Sequence, residues 1–418
     1  MGAIAKIFAE AFSLSGEPPD WFYRWSGGGP SKTGLHVSEQ TALRFTAVFA
    51  CIRILSETLA SMPIILYKDR KIGDKASGKD RAVDHPLYDL LKTAPNKEMP
   101  SMILKETMQS HIAGSGNGYS HIQRNRRGTV LSLSLIPWTF IDPRRNLETW
   151  EIEYWTNDRG KMIILPSEEV FHIPGLGFDG VKGYSPIYMA KEAIGLGLAA
   201  EMFGASFFAN GASVSGVAEY PGKLSDNAFQ RFKQSIREEY AGLGNTKKVM
   251  FLEEGLKFHQ VTIPPNEAQF IETRKFQVEE IARLYRIPMH LLQNLERSTN
   301  NNIEHQSLEF VMYTMLPWFT RWEQFINFKL LTPDERAQGY FAEFLINALM
   351  RGDTVARAQM LHLMRQDGVI CADEWRELEN MNPQENGQGK YYFINGNMIP
   401  TEIAAAQKPK NKGGGNQQ

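Results

Sequence analysis

Two glycine-rich segments carry residues of the kind that hold phosphate groups. The first, SGGGPSKT over residues 26–33, ends in Lys and Thr as a P-loop does, but Ser26 and Ser31 replace two glycines that the motif requires. The second, AGSGNGYS over residues 113–120, lies between a predicted helix and a predicted strand, whereas a dinucleotide-binding fingerprint lies between a strand and a helix. We therefore interpret the first segment as a linker and the second as a turn.

Histidines and acidic residues offer a second kind of chemistry. His111 and His121 lack the spacing of a metalloprotease pair, and the chain contains neither a GxSxG nucleophile elbow nor a cysteine-based catalytic signature. One hypothesis is nevertheless a hydrolase or transferase with an unrecognised site near His111, His121 and Glu151. The main prediction is a protein that is not an enzyme and that uses no cofactor or metal.

Composition excludes several classes of protein. The 418 residues include 46 Lys and Arg and 47 Asp and Glu, so no overall charge attracts nucleic acid or an acidic membrane. Residues 193–218 are apolar with Glu201 as their one charge, but Gly, Ser and Asn interrupt them too often for a membrane span. The two cysteines, Cys51 and Cys371, lack metal-type spacing, which predicts buried free thiols and a reducing compartment.

The elements that must position any site form an α+β body followed by long helices. Apolar periodicity predicts helices over 41–62, 86–93 and 101–112, and alternating patterns predict antiparallel strands between residues 119 and 165. A strand over 63–68 is followed by a polar segment, RKIGDKASGKD, which we predict to be a turn. The first part of the chain is therefore predicted to be an α+β body.

The most informative region contains two helices with a compact module between them. Ser185 and Pro186 predict the start of a helix that runs to about Ala209, and its many glycines indicate close approach of a neighbouring helix. A charged helix over 267–286 follows the module, so the two helices should be antiparallel. A polar loop, LERSTNNNIEHQ, then leads to a second long aromatic helix, and we expect this loop to project from the body.

Several segments occur in a characteristic order over about residues 41–400: TALRFTAVFACIRILSETLASMPIILYK, HPLYDLLKTAPN, GNGYSHIQRNRRGTVLSLSLIPW, EEVFHIPGLGFDGVKGYSPI, FQVEEIARLYRIPMHLL, TNNNIEHQSLEF and MLPWFTRWEQFINFKLL. In these segments the chain resembles the portal proteins of tailed bacteriophages, in the branch common among phages with long non-contractile tails. The resemblance implies an elongated α+β subunit that assembles into a ring.

The resemblance also implies a division of the chain. The expected parts are a flexible N-terminal arm (1–40), a wing (41–184), a stem helix (185–212), a clip (213–263), a second stem helix (264–290), a tunnel loop (291–303), a tunnel/wing helix with a return strand (304–347), a crown (348–404) and a disordered tail (405–418). DNA would pass along the axis of the ring. The tunnel loop would surround the DNA, and the clip would dock other proteins.

Two sets of candidate site residues follow from this division. The channel set, in the tunnel loop, consists of Gln293, Glu296, Arg297, Asn300, Asn301 and Asn302. The docking set, in the clip, consists of Lys223, Arg231, Lys247 and Lys248. Amide side chains suit weak, exchangeable contacts with a sliding duplex, because strong phosphate contacts would hold it in place.

The resemblance implies partners and a location as well. The expected partners are copies of the same chain in a ring, usually twelve, double-stranded DNA, the large terminase, a head-completion adaptor, and the major capsid and scaffold proteins, with no membrane. The expected location is the portal vertex of the virion, and the host cytoplasm during assembly. Besides the hydrolase or transferase, another minor virion structural protein is a competing hypothesis.

Overall fold

A computed structural model of the chain describes residues 31–72, 75–158, 161–209, 216–219, 230, 257–260, 267–293, 306–346, 354–379 and 381–393. The chain divides into two compact units, Met1–Leu345 and Ile346–Gln418. Helices and strands are both present in the first unit, whereas the described part of the second is helical.

The strands of the first unit are short and pair antiparallel. They are β1 (Ile64–Ile72), β2 (Lys75–Arg81), β3 (Asn117–Arg124), β4 (Val130–Ile136), β5 (Ile141–Arg145), β6 (Ile152–Asp158), β7 (Lys161–Pro166), β8 (Val170–Pro174), β9 (Gly216–Glu219), β10 (Lys257–Gln260) and β11 (Tyr340–Phe344). They form sheets in the orders β11-β1-β2, β4-β3-β8, β5-β6-β7 and β10-β9. The return of β11 to β1 joins residues that are far apart in the sequence.

The described helices of the first unit include five that have 14 to 19 residues. In chain order they are α1 (Glu39–Ala42), α2 (Thr46–Ser61), α3 (Pro86–Lys92), α4 (Ser101–Ser115), α5 (Pro186–Met189), α6 (Lys191–Ala209), α7 (Glu267–Tyr285), α8 (Leu316–Lys329) and α9 (Pro333–Ala337). The predicted helix from Pro186 to Ala209 is interrupted at Ala190, whose backbone (φ −100°, ψ 16°) departs from helical values. Among the described residues, no helix combines the length and apolar character that a membrane crossing needs.

The prediction of a turn over RKIGDKASGKD is wrong, because the described residues of this segment, 70–72 and 75–80, belong to the paired strands β1 and β2. Pairing runs from Tyr67 opposite Arg81 to Ile72 opposite Lys75. Arg70 and Asp80 form an ion pair across the hairpin, and both side chains are more than half exposed. A charged, solvent-facing edge strand carries no apolar alternation, and its polarity protects the sheet edge from pairing with other chains.

The core of the body joins two of the sheets. Tyr119 of β3 and Tyr154 of β6 are almost fully buried, and their rings meet edge to face with centroids 6.3 Å apart. Ile136, Ile141 and Leu165 complete the same buried cluster. Apolar burial of this kind contributes about 25 cal/mol per Å², so the cluster is a main reason that the sheets stay together.

Helix α4 packs against β3 of this core, α2 packs against α4, and α8 also contacts α4. Residues Cys51 and Leu55 of α2 are buried where it packs on α4. In α8, the Trp322 indole donates a 2.9 Å hydrogen bond to Gln109 of α4, and Phe319 packs on Phe344 of β11 with ring centroids 4.8 Å apart. Helix α8 therefore packs against both helix α4 and strand β11.

The second unit contains helices α10 (Thr354–Gln366) and α11 (Ala372–Leu378) and a 3-10 helix (Glu385–Lys390). Glu374 accepts a 2.7 Å hydrogen bond from the backbone amide of Cys371 and another of 2.7 Å from the Tyr392 hydroxyl. These contacts begin α11 and tie the following segment to it. Both cysteines of the chain, Cys51 and Cys371, are buried and free, which confirms the sequence prediction of free thiols.

Candidate functional site

The helix pair α6 and α7 runs antiparallel from the body. At the body end, Ile194 of α6 and Ile281 of α7 are fully buried. Seven residues further out along each helix, Glu201 and Arg274 approach to 3.5 Å. Because this ion pair is largely exposed, it contributes at most about 1 kcal/mol, and the buried ends of the helices dominate the packing.

The glycines of α6 have a different neighbour from the one predicted. A Cβ atom at Gly195 would come within 2.7 Å of the Ser31 Cβ, and one at Gly197 would lie 2.8 Å from the Phe45 ring. At these two positions the prediction of a close neighbouring helix is therefore wrong. Ser31 and Phe45, in the segment that precedes α2, lie against these glycines instead.

The inner end of α7 is anchored to the body and terminated within one turn. The Tyr285 hydroxyl donates a 3.1 Å hydrogen bond to the Ala113 carbonyl of α4, and burial raises the pKa of this phenol. Arg286 then adopts a left-handed backbone (φ 56°), and the amide of Ile287 bonds to the carbonyl of Ala282 at 2.9 Å. This is a Schellman termination, and Pro288 directly after it prevents the helix from continuing.

The ends of the predicted tunnel loop are joined by one side chain. His290 lies in the 3-10 helix Met289–Leu292, where its Nδ1 is 2.9 Å from Oε1 of Gln306 and its Nε2 is 3.2 Å from the Ser307 hydroxyl. Residues on the two sides of segment 294–305 therefore meet at this histidine. No sequence motif marks His290, since its partners lie 16 and 17 residues further along the chain.

The helix that follows this loop begins irregularly. Residues Phe310–Met315 form a π-helical turn, and Pro317 stands at the start of α8. Thr314, within the π turn, donates a 2.6 Å hydrogen bond to the carbonyl of Arg286. Isolated π turns are uncommon and frequently occur at functional sites. The contact ties the end of α7 to the beginning of the long helix.

Of the channel set, the structure describes only Gln293. It is exposed and left-handed (φ 60°), and its amide bonds to the His290 carbonyl at 3.0 Å. The other members, Glu296, Arg297, Asn300, Asn301 and Asn302, lie outside the described residues. So do all members of the docking set, Lys223, Arg231, Lys247 and Lys248. Both sets therefore stay predictions.

The residues of the hydrolase or transferase hypothesis have separate surroundings. Burial within α4 lowers the pKa of His111 to about 4. His121 Nε2 lies 3.8 Å from Oε2 of Glu169, and Glu151 is exposed before β6. Within the part of the chain that the structure describes, no group of three or more His, Cys, Asp or Glu side chains could hold a metal ion.

A Tyr–His–Asn arrangement in the body has the appearance of a catalytic relay. The Tyr154 hydroxyl lies 3.1 Å from Nδ1 of His172, whose Nε2 lies 3.1 Å from Oδ1 of Asn117. The Asn117 oxygen also accepts a 2.8 Å hydrogen bond from the Gly183 amide, so the proton of the imidazole lies on Nε2. Burial, with smaller effects from Lys329 and Lys182, lowers the pKa of His172 to about 3.

This arrangement is structural. All three side chains are at least 97% buried, and each ring nitrogen of His172 already has a protein partner. An imidazole that is neutral near pH 7 and fully enclosed neither gains nor loses a proton in that range. The network instead links β3, β6 and β8 to the backbone at Gly183.

The described residues bring together a helix pair anchored in an α+β body and, at His290, the two flanks of segment 294–305. Fold and site thus define a structural subunit. A family model described as phage portal protein matches residues 46–380. The chain belongs to the phage portal protein family, which confirms the prediction made from its sequence.

Similar proteins agree with this assignment. The probable portal protein of Streptomyces phage phiC31 is 33% identical over 383 residues, covering 88% of this chain and 81% of that protein. The portal protein of Enterobacteria phage HK97 is 29% identical over 384 residues, covering 90% and 88%. This chain therefore spans most of the length of both relatives.

Solved structures share the fold at lower identity. An HK97 family phage portal protein from Corynebacterium diphtheriae is 18% identical with a TM-score of 0.54, covering 75% of this chain and 96% of that one. A chain in the neck of a native gene transfer agent particle, computed with C12 symmetry, is 21% identical with a TM-score of 0.56, covering 82% and 92%. These likenesses confirm the α+β portal-type fold.

Proposed function

We propose that copies of this chain form a ring, a dodecamer in the assembled capsid, through which DNA is packaged and ejected. Two findings support the ring: membership of the portal family, and the C12 symmetry used for a structural neighbour of the same fold. The ring would occupy one vertex of the virion after assembly in the host cytoplasm. An interface that repeats head to tail around a ring needs two different surfaces on each subunit.

The observation that carries the proposal is the closed base of segment 294–305. Because His290 contacts Gln306 and Ser307, the residues on the two sides of this segment lie at the same place. Twelve such loops arranged around an axis would narrow a channel without contributing to the core of any subunit. We assign the channel set, from Gln293 to Asn302, to this constriction.

The length of the two helices sets the length of the proposed stem. A helix of 19 residues, as α6 and α7 both are, is on the order of 28 Å long. Residues 213–263, between the outer ends of the two helices, would form the clip, with residues 41–184 as the wing and 348–404 as the crown. Anchorage of Tyr285 and Ile281 in the body supports an outward-pointing stem.

The charge of the chain suits a duplex that must slide. Each phosphate that a protein neutralises strengthens binding through counterion release, so a strongly basic channel would hold DNA in place. The formal net charge of this chain is −1. Amide-rich loops would allow contacts that form and break as the duplex passes.

We further propose that the clip docks the large terminase during packaging and a head-completion adaptor afterwards. Lys223, Arg231, Lys247 and Lys248 are the candidates for these contacts. The major capsid and scaffold proteins would surround the wing. ATP hydrolysis would belong to the terminase, so the chain itself would need neither a catalytic site nor a cofactor.

Native mass spectrometry and negative-stain imaging of the purified full-length protein test the ring directly. The expected result is a closed assembly of about twelve copies with an axial hole, as symmetric ring assembly requires. A protein that stays monomeric or dimeric under all assembly conditions, including added scaffold protein, would overturn the proposal.

A further inference from the structure

A cavity of about 320 Å³ opens on the surface of the α+β body beside α5. Its wall includes the aromatic and apolar side chains of Trp138, Phe178, Tyr184, Tyr188 and Met189. The charged residues of the wall are Glu39, Asp179 and Lys182; Lys182 is ion-paired with Asp142, outside the cavity. Phe178 is 91% exposed and Met189 is 56% exposed. Exposed aromatic side chains around a carboxylate are suited to binding a cation flanked by further aromatic groups.

Hydrogen bonds fix the backbone on both sides of the exposed Phe178. This residue lies in a small hairpin in which the Tyr184 amide bonds to the Leu176 carbonyl at 2.7 Å. Asp179 caps the tip by accepting a 2.8 Å hydrogen bond from the Val181 amide, and Lys182 is ion-paired with the buried Asp142. The backbone of this wall is therefore preformed, which lowers the entropic cost of binding a ligand.

The carboxylate of Glu39 lacks a cationic partner among the described residues. Its Oε1 accepts one long hydrogen bond, 3.4 Å from the Ser185 hydroxyl. Burial raises the pKa of this carboxyl group, and the hydrogen bonds offset that effect only in part. A guanidinium placed against Glu39 would remove most of this penalty, since charge-assisted bonds are stronger than neutral ones.

A segment with the required chemistry lies close by in the chain. Residues 21–25 read WFYRW, with Arg24 between aromatic residues. The described residues begin at Ser31, which contacts Gly195 of α6, and the Lys32 amide bonds to Glu192 at 2.9 Å. Glycines at 27–29 allow the chain to reverse direction between the two places.

The distances are compatible with docking within one chain. Six residue steps separate Trp25 from Ser31, and fully extended they reach roughly 20 Å. Gly195, beside Ser31, and Met189, at the rim of the cavity, are on the order of 10 Å apart along the helices. The segment can therefore enter the cavity with several residues to spare.

We propose that this cavity binds residues 21–25 of the same chain, with the Arg24 guanidinium paired to the Glu39 carboxylate and the aromatic side chains packed against Phe178 and Tyr188. The arm would thus latch onto the wing of its own subunit. This inference does not depend on ring formation.

Thiol cross-linking of the full-length protein tests the location. A short bis-maleimide is applied to Trp25→Cys combined with Met189→Cys, and to a control that combines Trp25→Cys with Met102→Cys. Met102 is 45% exposed at the opposite end of α4 from the cavity, and the native thiols are buried. The expected result is a link within one chain that forms at least about fivefold faster with Met189→Cys, because docking raises the effective concentration.

Two outcomes of this experiment would overturn the proposal. Equal linking rates in the two variants would show that the cavity does not hold the arm. A ladder of chain-to-chain products would show that the cavity receives a neighbouring copy instead.

Limited trypsin digestion tests the contact between Arg24 and Glu39. Glu39→Gln should raise the rate of cleavage after Arg24 by about fivefold, because cleavage follows the undocked population. Cleavage after Lys6 should be unchanged, and Glu148→Gln, which alters an exposed carboxylate elsewhere, should have no effect. Cleavage after Lys92 in α3 reports unfolding of the body. An unchanged rate at Arg24, or equal increases at Arg24 and Lys92, would contradict the contact.

Discussion

The hydroxyl of Tyr285 and the carbonyl of Ala113 are joined by a 3.1 Å hydrogen bond between the last turn of one proposed stem helix and the body. Tyr285 is 6% exposed, so little water can replace this partner. The angle at which α7 leaves the body is thus set by a buried polar contact in addition to apolar packing.

Tyr285→Phe should lower the free energy of unfolding by about 1 to 2 kcal/mol, because the Ala113 carbonyl would lose its side-chain partner in a buried place. Urea unfolding followed by tryptophan fluorescence measures this change. The matched control is Tyr313→Phe, which removes a hydroxyl from a 65% exposed side chain and should have no measurable effect. Equal effects of the two substitutions would mean that the contact does not stabilise the protein.

Deletion of Ser298–Asn302 should leave the assembly of subunits intact and impair DNA packaging or retention. The reason is that His290 joins the two flanks of segment 294–305, so the buried residues of α7 and α8 should keep their contacts with the body after the deletion. Native mass spectrometry of the variant and nuclease protection of packaged DNA give the two readouts. A variant with five Gly and Ser residues in place of 298–302 separates loop length from loop chemistry. Loss of folding after the deletion would show that the loop belongs to the core.

His290→Ala should open the base of the loop. Without the contacts to Gln306 and Ser307, segment 294–305 should become more accessible, and trypsin cleavage after Arg297 should accelerate by about fivefold, corresponding to roughly 1 kcal/mol of lost hydrogen bonding. His362→Ala alters an exposed histidine in the second unit and serves as the control. An unchanged cleavage rate in His290→Ala would show that other contacts close the loop.

Lys105 should make the stability of the protein depend on pH in the alkaline range. Its ammonium donates a 2.7 Å hydrogen bond to the Met62 carbonyl at the end of α2, yet burial lowers its pKa from 10.5 to about 8. Between these values the unfolded chain binds the proton and the folded chain does not. The free energy of unfolding should therefore rise as the pH rises from about 8 to 10.5, and the stability that this group gains by losing its proton should be lost again as the pH falls to about 8.

The measurement is the difference in unfolding free energy between Lys105→Met and the unchanged protein at several pH values. The variant should be more stable by about 1 to 2 kcal/mol at pH 7, because it buries no charge, and this advantage should shrink as the pH rises towards 10.5. Lys97→Met, at an exposed position, should give a difference that does not vary with pH. A constant difference for Lys105→Met would contradict the shift in pKa.

The regular helices were predictable because their signals are local. Ser185 caps α5, accepting a 3.2 Å hydrogen bond from the Tyr188 amide, and Pro186 follows it, as the sequence indicated. The stop of α7 before Pro288 was predictable for the same reason. Apolar periodicity also located α2 and α4 to within a few residues of their ends.

Other elements carry signals that are not local. In β8 every residue of VFHIP is buried, so the alternation that identifies a surface strand is absent. In the hairpin of β1 and β2, residues 68–70 and 78–81 are polar or glycine and exposed to solvent, and a polar segment of this kind resembles a turn. At the candidate site, His290 could not be found from the sequence, because its role depends on residues beyond the loop that it closes.

Closure of the loop by one histidine also bears on how such proteins can diversify. Once the two ends are held together, the entropic cost of a longer loop grows only slowly, by about 0.6 kcal/mol for each doubling of length. Insertions or deletions between Asn294 and His305 would thus leave the energetics of the body nearly unchanged. This segment is where natural variation in length should be best tolerated. The width of the proposed channel could then change by mutation here while the rest of the subunit keeps its structure.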